Sequence, residues 1–307
     1  MAKLTIFISP KPFSREHIAI IQKNAISSWL QLAPEVKVIL IGDDEGVAEA
    51  AAELNILHLP GVIRNELGTP LLSSIFQLAR EHSNSPYLAY VNADIILFND
   101  FIEVINLVER KFSEFLIIGQ RWDLNVDALI DFENDWASKV KQDVNEKGKL
   151  HPPGGSDYFI YPRACFEQIP EFAIGRAGWD NWMIFKARQE GWPVVDATNL
   201  VDIIHQNHDY AHLPDGQSHY RLPETAENVR LAGGSQTVFT IHDADYEFRD
   251  NKLEEKQVTW KKFWREVEIF PLVKLRSIWL SQSFFFVFHP QNGFRRLKTW
   301  LRKLIKE

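Results

Sequence analysis

The sequence predicts an α/β protein whose mostly parallel central sheet is flanked by helices. Three observations carry this expectation. From residue 4 to about residue 119, apolar runs of strand length alternate with segments of helical periodicity, at the spacing of βαβ units. The run Tyr87-Leu88-Ala89-Tyr90-Val91 has no polar interruption before Asn92-Ala93-Asp94 and reads as a strand buried on both faces. The chain is 307 residues long with 45% hydrophobic and 24% charged residues, enough for one large core or two modest ones.

Leu4 to Ser9 is the first strand. It begins without the basic region and cleavage site of a signal peptide. Ser14 can cap a helix whose apolar positions Ile18, Ile21, Ala25, Ile26, Trp29 and Leu32 fall at helical spacing. Val36 to Ile41 is the second strand and ends at Gly42-Asp43-Asp44. Asp43 and Asp44 can accept hydrogen bonds from a ribose or a base edge; they suit equally well a turn and an N-cap for the Ala-rich helix from Glu45 to Leu54. Ile56 to Leu59 is a short third strand broken by Pro60-Gly61. In the polar connection that follows, Arg64 and Asn65 can approach a nucleotide diphosphate or simply be solvated. A helix runs from Leu71 to about Glu81, and Pro86 marks entry into the central strand.

Period-two geometry turns Asn92 and Asp94 to one side at the carboxyl end of that strand, where open α/β sheets bind their ligands. A carboxylate held there can bind a divalent metal that in turn holds a diphosphate. Taken alone, an Asn-x-Asp is more often a strand end whose Asp caps the next turn. A helix follows from Asn99-Asp100 to about Phe112, then a strand from Phe115 to Gly119. Residues 123–149 are polar, helical in part, and carry no legible chemistry. Neither a Gly-x-Gly-x-x-Gly after the first strand nor a Walker Gly-Lys-Ser/Thr is present, which argues against a dinucleotide dehydrogenase and a P-loop enzyme.

Gly154 and Gly155, before the strand-like Tyr158 to Tyr161, let a backbone approach a phosphate or sugar closely, or make a tight turn. Gly175 to Trp182 then leads into a helix from Met183 to Glu190. Asp180 near its start can cap it, or can take the proton of a sugar hydroxyl. Trp179 and Trp182 offer faces to a sugar ring or belong to the core. Strands at Val194 to Asp196 and Val201 to Ile204 precede His205-Gln206-Asn207-His208-Asp209-Tyr210-Ala211-His212, a concentration that stands out in a chain with 10 histidines. Neutral imidazole suits manganese and zinc, and the His-Glu-x-x-His of zinc proteases is absent.

Charge is unevenly spread. Residues 252–307 hold 13 Lys or Arg against 5 Asp or Glu, a net of +8, so residues 1–251 carry −15 of a chain total of −7. The helical segment at Thr259 to Val267 and the stretch Phe294 to Ile305 mix aromatic and basic residues, which fits an anionic membrane surface or packing against the rest of the chain. The acidic remainder disfavours nucleic acid. No apolar run approaches a membrane-spanning helix, and the single Cys165 fits a small buried residue in a reducing compartment.

In order along the chain, these features resemble the GT-A nucleotide-sugar glycosyltransferases, over about residues 3 to 210. They are an N-terminal strand, an acidic pair after strand two, Asn-x-Asp after a buried strand, a Gly-rich strand entrance, an acid at a helix start and a late histidine. The resemblance implies that Asn92-Ala93-Asp94 stands where the family has an Asp-x-Asp, with Asp94 touching a divalent metal, Mn2+ or Mg2+, and Asn92 contacting the ribose or another group beside the metal. It implies nucleotide contacts at Ser9, Pro10, Asp43 and Asp44, with Arg64, Asn65, Gly154 and Gly155 also on the donor. Asp180 would be the catalytic base of an inverting member, with Trp179 and Asn181 on the acceptor side. His205 or His208 would be the late metal ligand, His205 preferred because it directly follows a strand.

The expected activity is therefore transfer of a sugar from a nucleotide-diphosphate donor to a hydroxyl of a glycan, glycolipid or small molecule. The expected organisation is a catalytic domain at residues 1–250 and a basic helical extension at residues 251–307. The expected location is cytoplasmic, with peripheral attachment to an inner membrane face. A sugar nucleotidyltransferase is the second reading; its basic residue after strand one has a counterpart in Lys11, although the loop Ser9-Pro10-Lys11-Pro12 lacks the Gly-rich signature. A catalytically inactive sugar-nucleotide-binding protein is the third, motivated by Asn92.

Overall fold

The computed structural model describes residues 2–208 and 222–291. In its first half, β1 (Leu4–Ile8), α1 (Glu16–Leu30), β2 (Val36–Ile41), α2 (Val47–Glu53), β3 (Leu57–Leu59), α3 (Leu72–Glu81) and β4 (Tyr87–Val91) follow the predicted alternation. There follow β5 (Ile95–Leu97), α4 (Asp100–Val108), β6 (Leu116–Ile118), β7 (Trp122–Leu124), α5 (Trp136–Lys147), β8 (Lys149–Leu150), β9 (Tyr158–Pro162), α6 (Trp179–Glu190), β10 (Val194–Asp196) and β11 (Ile203–Gln206). Beyond residue 221 lie α7 (Pro223–Ala232), β12 (Tyr246–Arg249), β13 (Lys252–Glu255), α8 (Trp260–Val273) and α9 (Ile278–Phe288).

Nine of these strands form one sheet in the order β13-β12-β10-β6-β9-β4-β1-β2-β3, in which β9 and β13 run antiparallel to their neighbours and the other pairings are parallel. This is the mostly parallel, helix-flanked sheet that the sequence predicted. The residues of β1 and β9 are all buried, as strands covered on both faces must be. Edge-to-face and stacked contacts among Phe7, Phe76, Tyr90 and Tyr161 pin α3 against β1, β4 and β9.

The central strand covers its apolar run but ends before Asn92 and Asp94, which were expected to alternate at its carboxyl end. It stops at Val91; the chain turns through Asn92-Ala93-Asp94 and enters a second, four-stranded sheet, β5-β11-β7-β8. Two of its strands, β7 and β8, come from residues 122–150, a stretch with no legible chemistry in its sequence. The junction is held from beneath by α1: Trp29 Nε1 donates to the Ile95 carbonyl at 2.8 Å, and the Leu97 N–H donates to Ser28 Oγ at 3.0 Å.

Helix starts differ where turn chemistry overrides periodicity. The cap of α1 is Arg15 and not Ser14, with no side-chain hydrogen bond to the helix start. Helix α2 begins after Gly46, whose φ of 80° suits glycine, because Asp43 and Asp44 are turned toward Arg64 and do not cap it. Helix α6 begins at Trp179, four residues earlier than expected, after Gly178 at φ 107°. The predicted excursion at residues 213–250 contains α7 and β12; its first part, like His212 and the basic stretch 294–305, lies outside the described residues. Helix α8 runs on to Val273, capped by Thr259, whose hydroxyl accepts from the Lys262 N–H at 3.2 Å. It docks on α6, and α9 folds back on α8. No described helix is long and apolar enough to cross a membrane.

Candidate active site

The carboxyl ends of β1, β2 and β4 open onto a cleft of about 640 Å³. Ser9, Pro10 and Lys11 line it after β1, Asp44 after β2, and Asn92 and Asp94 after β4. Gly154, Gly155 and Asp157 border it before β9, Trp179, Asp180 and Asn181 at the start of α6, and His205 and His208 from β11 and beyond. Each parallel strand ends on the same side of a parallel sheet, so loops far apart in sequence share one mouth.

At one corner Asp94, His205 and His208 bring a carboxylate oxygen and two ring nitrogens within 4.8 Å of one another. The Asp94 backbone is fixed because its carbonyl accepts from the Gln206 N–H at 3.1 Å, and buried Gln206 is tied in turn to α1 through the Ile21 carbonyl at 2.8 Å. Asp94 Oδ2 lies 3.1 Å from His208 Nε2, 3.7 Å from Lys11 Nζ and 4.0 Å from His205 Nε2. Burial alone would raise this carboxyl; the His208 hydrogen bond and the neighbouring His205 and Lys11 outweigh it and hold Asp94 far below the usual carboxylate range. Burial pushes His205 down, toward the neutral, ligating form of imidazole.

Two details fit a divalent cation here. Asp94 Oδ1 is buried without a hydrogen-bond partner, a condition that costs about 1–3 kcal/mol for a neutral group and more for a charged one. His208 Nε2 lies 3.0 Å from the Lys11 ammonium as well as 3.1 Å from Asp94, and one nitrogen cannot accept from the first and donate to the second in the same tautomer. A metal ion would use both lone pairs. Two imidazoles and one carboxylate suit Mn2+ better than Mg2+.

Behind this corner runs a chain of charged groups, Arg121, Asp123, His151 and Asp157, of which Arg121 and Asp123 carry no local mark of a site in the sequence. Arg121 Nη1 donates to both oxygens of Asp157 at 2.7 and 2.8 Å, and Arg121 Nε donates to Asp123 Oδ1 at 3.0 Å. Asp123 Oδ2 accepts from His151 Nδ1 at 2.8 Å, while its Oδ1 sits 3.2 Å from His205 Nδ1, outside good hydrogen-bond alignment. Asn92 Nδ2 donates to Asp157 Oδ1 at 2.8 Å, so the amide of the Asn-x-Asp is part of this network.

Across the cleft, Asp180 sits in the first turn of α6 and its Oδ1 accepts from the Gly178 N–H at 3.2 Å. Burial pushes its carboxyl up to about 6, against the lowering effect of backbone N–H groups at Asn181 and Gly178. Gly155 faces it closely: a Cβ there would lie 2.7 Å from Asp180 Oδ2. Trp179 borders the cleft with its ring packed on Tyr90 and Phe159, whereas Trp182 packs on Phe166 and Phe172 in the core. Asn181 Nδ2 donates to the Phe239 carbonyl at 2.7 Å.

At the opposite end Arg64 donates to Asp43 and, at 2.9 Å, to Asp44. Asp44 and Arg64 line the cleft, while Asp43 lies outside its lining and is largely exposed. Asn65 is turned away: its Oδ1 accepts from the Leu67 and Thr69 N–H groups, and its Nδ2 donates to Glu224 Oε1 at 2.7 Å. Glu224 also accepts from Arg176 Nε at 2.6 Å, which ties α7 to the cleft rim. Ser9 Oγ is buried here with no partner.

No protein-family model matches the chain, and no curated protein does. Among solved structures, residues 1–349 of S. aureus TarS in complex with UDP-GlcNAc superpose with a TM-score of 0.48 and 10% identity, over 75% of this chain and 65% of that one. Another S. aureus TarS structure gives 0.47 and 12% over 75% of this chain and 39% of that one. The chain thus spans less than two thirds of the length of either.

Proposed function

We propose that this chain is a glycosyltransferase that moves a sugar from a nucleoside-diphosphate donor to a hydroxyl of a glycan, glycolipid or small molecule. The observation that carries the reading is the unpartnered, buried Asp94 Oδ1 beside two imidazoles, in the same cleft as a carboxyl raised to about 6. A divalent metal held by Asp94, His205 and His208 would supply positive charge to the donor's diphosphate. On this reading Lys11 adds a second cation to that corner. Ser9 Oγ and the Asp44–Arg64 pair meet the nucleoside at the far end. Asp180, oriented by the Gly178 N–H, takes the proton of the acceptor hydroxyl as the hydroxyl oxygen attacks the anomeric carbon and the bond from that carbon to the diphosphate breaks, releasing the nucleoside diphosphate. A carboxylate titrating near 6 is ionised at neutral pH and still basic enough for that task.

The test is a panel of UDP-, GDP-, CDP- and dTDP-sugars, each with and without Mn2+, with thermal shift and donor turnover as readouts. Asp180→Asn should lower turnover by about 10²–10⁴-fold while donor affinity stays within about threefold. Near-wild-type turnover in that variant removes Asp180 as the base. Lys11 gives the sugar nucleotidyltransferase a specific observation in its favour, since its ammonium lies beside the proposed diphosphate site. Pyrophosphate-dependent formation of nucleoside triphosphate from a nucleotide sugar would identify that activity.

A further inference from the structure

Among the described residues, every exposed tryptophan and phenylalanine belongs to α8 or α9: Trp260, Phe263, Trp264, Phe270 and Trp279. Trp279 is 83% exposed and Trp260 74%, values at which a large ring is almost wholly in water. Around them the charges are sorted by sign. The two acids between residues 260 and 291 are turned toward the protein and paired with arginines, Glu266 with Arg188 at 2.8 Å and Glu268 with Arg265 at 3.1 Å, and His289 Nε2 lies 2.8 Å from Glu268. Lys261, next to Trp260, and Lys274, next to Leu275, are exposed. From residue 292 the sequence continues with Arg295, Arg296, Lys298, Arg302, Lys303 and Lys306 against Glu307 alone.

The shape of the patch selects its occupant. Ile278, Trp279 and Leu280 are consecutive and all exposed, so on a helix they point in directions about 100° apart, and no single rigid groove can cover all three. In α9 only Ser281 is buried; Ile278, Trp279, Leu280 and Val287 are exposed, while its phenylalanines are half-buried and Phe288 packs on Trp264 of α8. A bilayer interface needs no shape match: it takes rings at headgroup level while phosphates meet the lysines. At 11 residues α9 is too short to span a bilayer.

We propose that the α8–α9 face holds this chain on an anionic phospholipid surface, with Trp260 and Trp279 in the interfacial layer and Lys261 and Lys274 on the headgroups. This stands apart from the transfer reaction, so either can fail alone. The test is flotation of the full chain with vesicles of phosphatidylcholine alone and of phosphatidylcholine with phosphatidylglycerol. At least tenfold more protein should float with the anionic vesicles. Trp279→Ser and the double variant Lys261→Glu, Lys274→Glu should each reduce that binding about tenfold with the unfolding midpoint unchanged, since all three side chains are exposed. Binding absent from both vesicle types overturns the proposal, as does binding that survives both variants. So does a lipid-free dimer, seen by light scattering, that Trp279→Ser dissociates; the occupant would then be a second copy of the chain.

Discussion

Asp180 gives the sharpest residue-scale expectations, because its carboxyl is lifted to about 6 by burial. If it is the base, kcat/KM for transfer should rise with pH through about 6 and level off above, and Asp180→Asn should erase that limb. Stability moves the other way. A carboxyl that binds its proton more tightly folded than unfolded favours the native state at low pH, and that contribution is lost as pH rises from about 4 through about 6. Denaturation of the wild type and Asp180→Asn across that window should show the slope in the first and not in the second. Gly155 belongs to the same corner. A methyl group there meets Asp180 Oδ2 at 2.7 Å, so Gly155→Ala should lower turnover while leaving Mn2+ affinity, measured by calorimetry, unchanged.

Among the elements, α1 carries more than its packing. Its Trp29 is fully buried and donates to the Ile95 carbonyl just past the turn that sets Asp94. Trp29→Phe keeps most of the ring and strands that carbonyl, so it should cost about 1–3 kcal/mol in chemical denaturation. The first sheet's strands and helices were legible because βαβ units repeat locally: each apolar run and each 3.6-residue stripe announces itself within a dozen residues. The second sheet was not. Strands β5, β7 and β8 are three, three and two residues long, too short for a period to register, and β7 and β8 are mixed or exposed in side chain. Of these, β5 and β7 pair with β11, some eighty residues beyond β7, and β8 pairs only with β7. Turn chemistry misled at Ser14 for a related reason: a capping residue is recognised only if the backbone beside it enters the helix there.

At the scale of the molecule, the site divides in the same way. Asp94, Asp180, His205 and His208 carry local marks, a strand end, a helix start or a histidine cluster. Arg121 and Asp123 carry none, because their role exists only through Asp157 and His151, which the fold brings to them. Asp157 had the same mark as Asn92, a polar residue at the edge of a buried strand, and could have been found by it. Asn65, legible as polar, is spent on its own loop and on Glu224. Metal binding should register globally: Mn2+ at 100 times its Kd should stabilise the fold by about 2.7 kcal/mol, and Asp94→Asn should abolish the thermal shift.

The turn at Asn92-Ala93-Asp94 also marks the seam between two bodies of sheet. Ser9 and Asp44 are carried by the larger one, whereas His205 is rooted in the smaller. A donor gripped at both ends would act as a splint across that seam. Amide hydrogen exchange should then slow together in β2 and β11, two strands with no shared ladder, and a fragment carrying only the nucleoside should quiet the first and leave the second breathing.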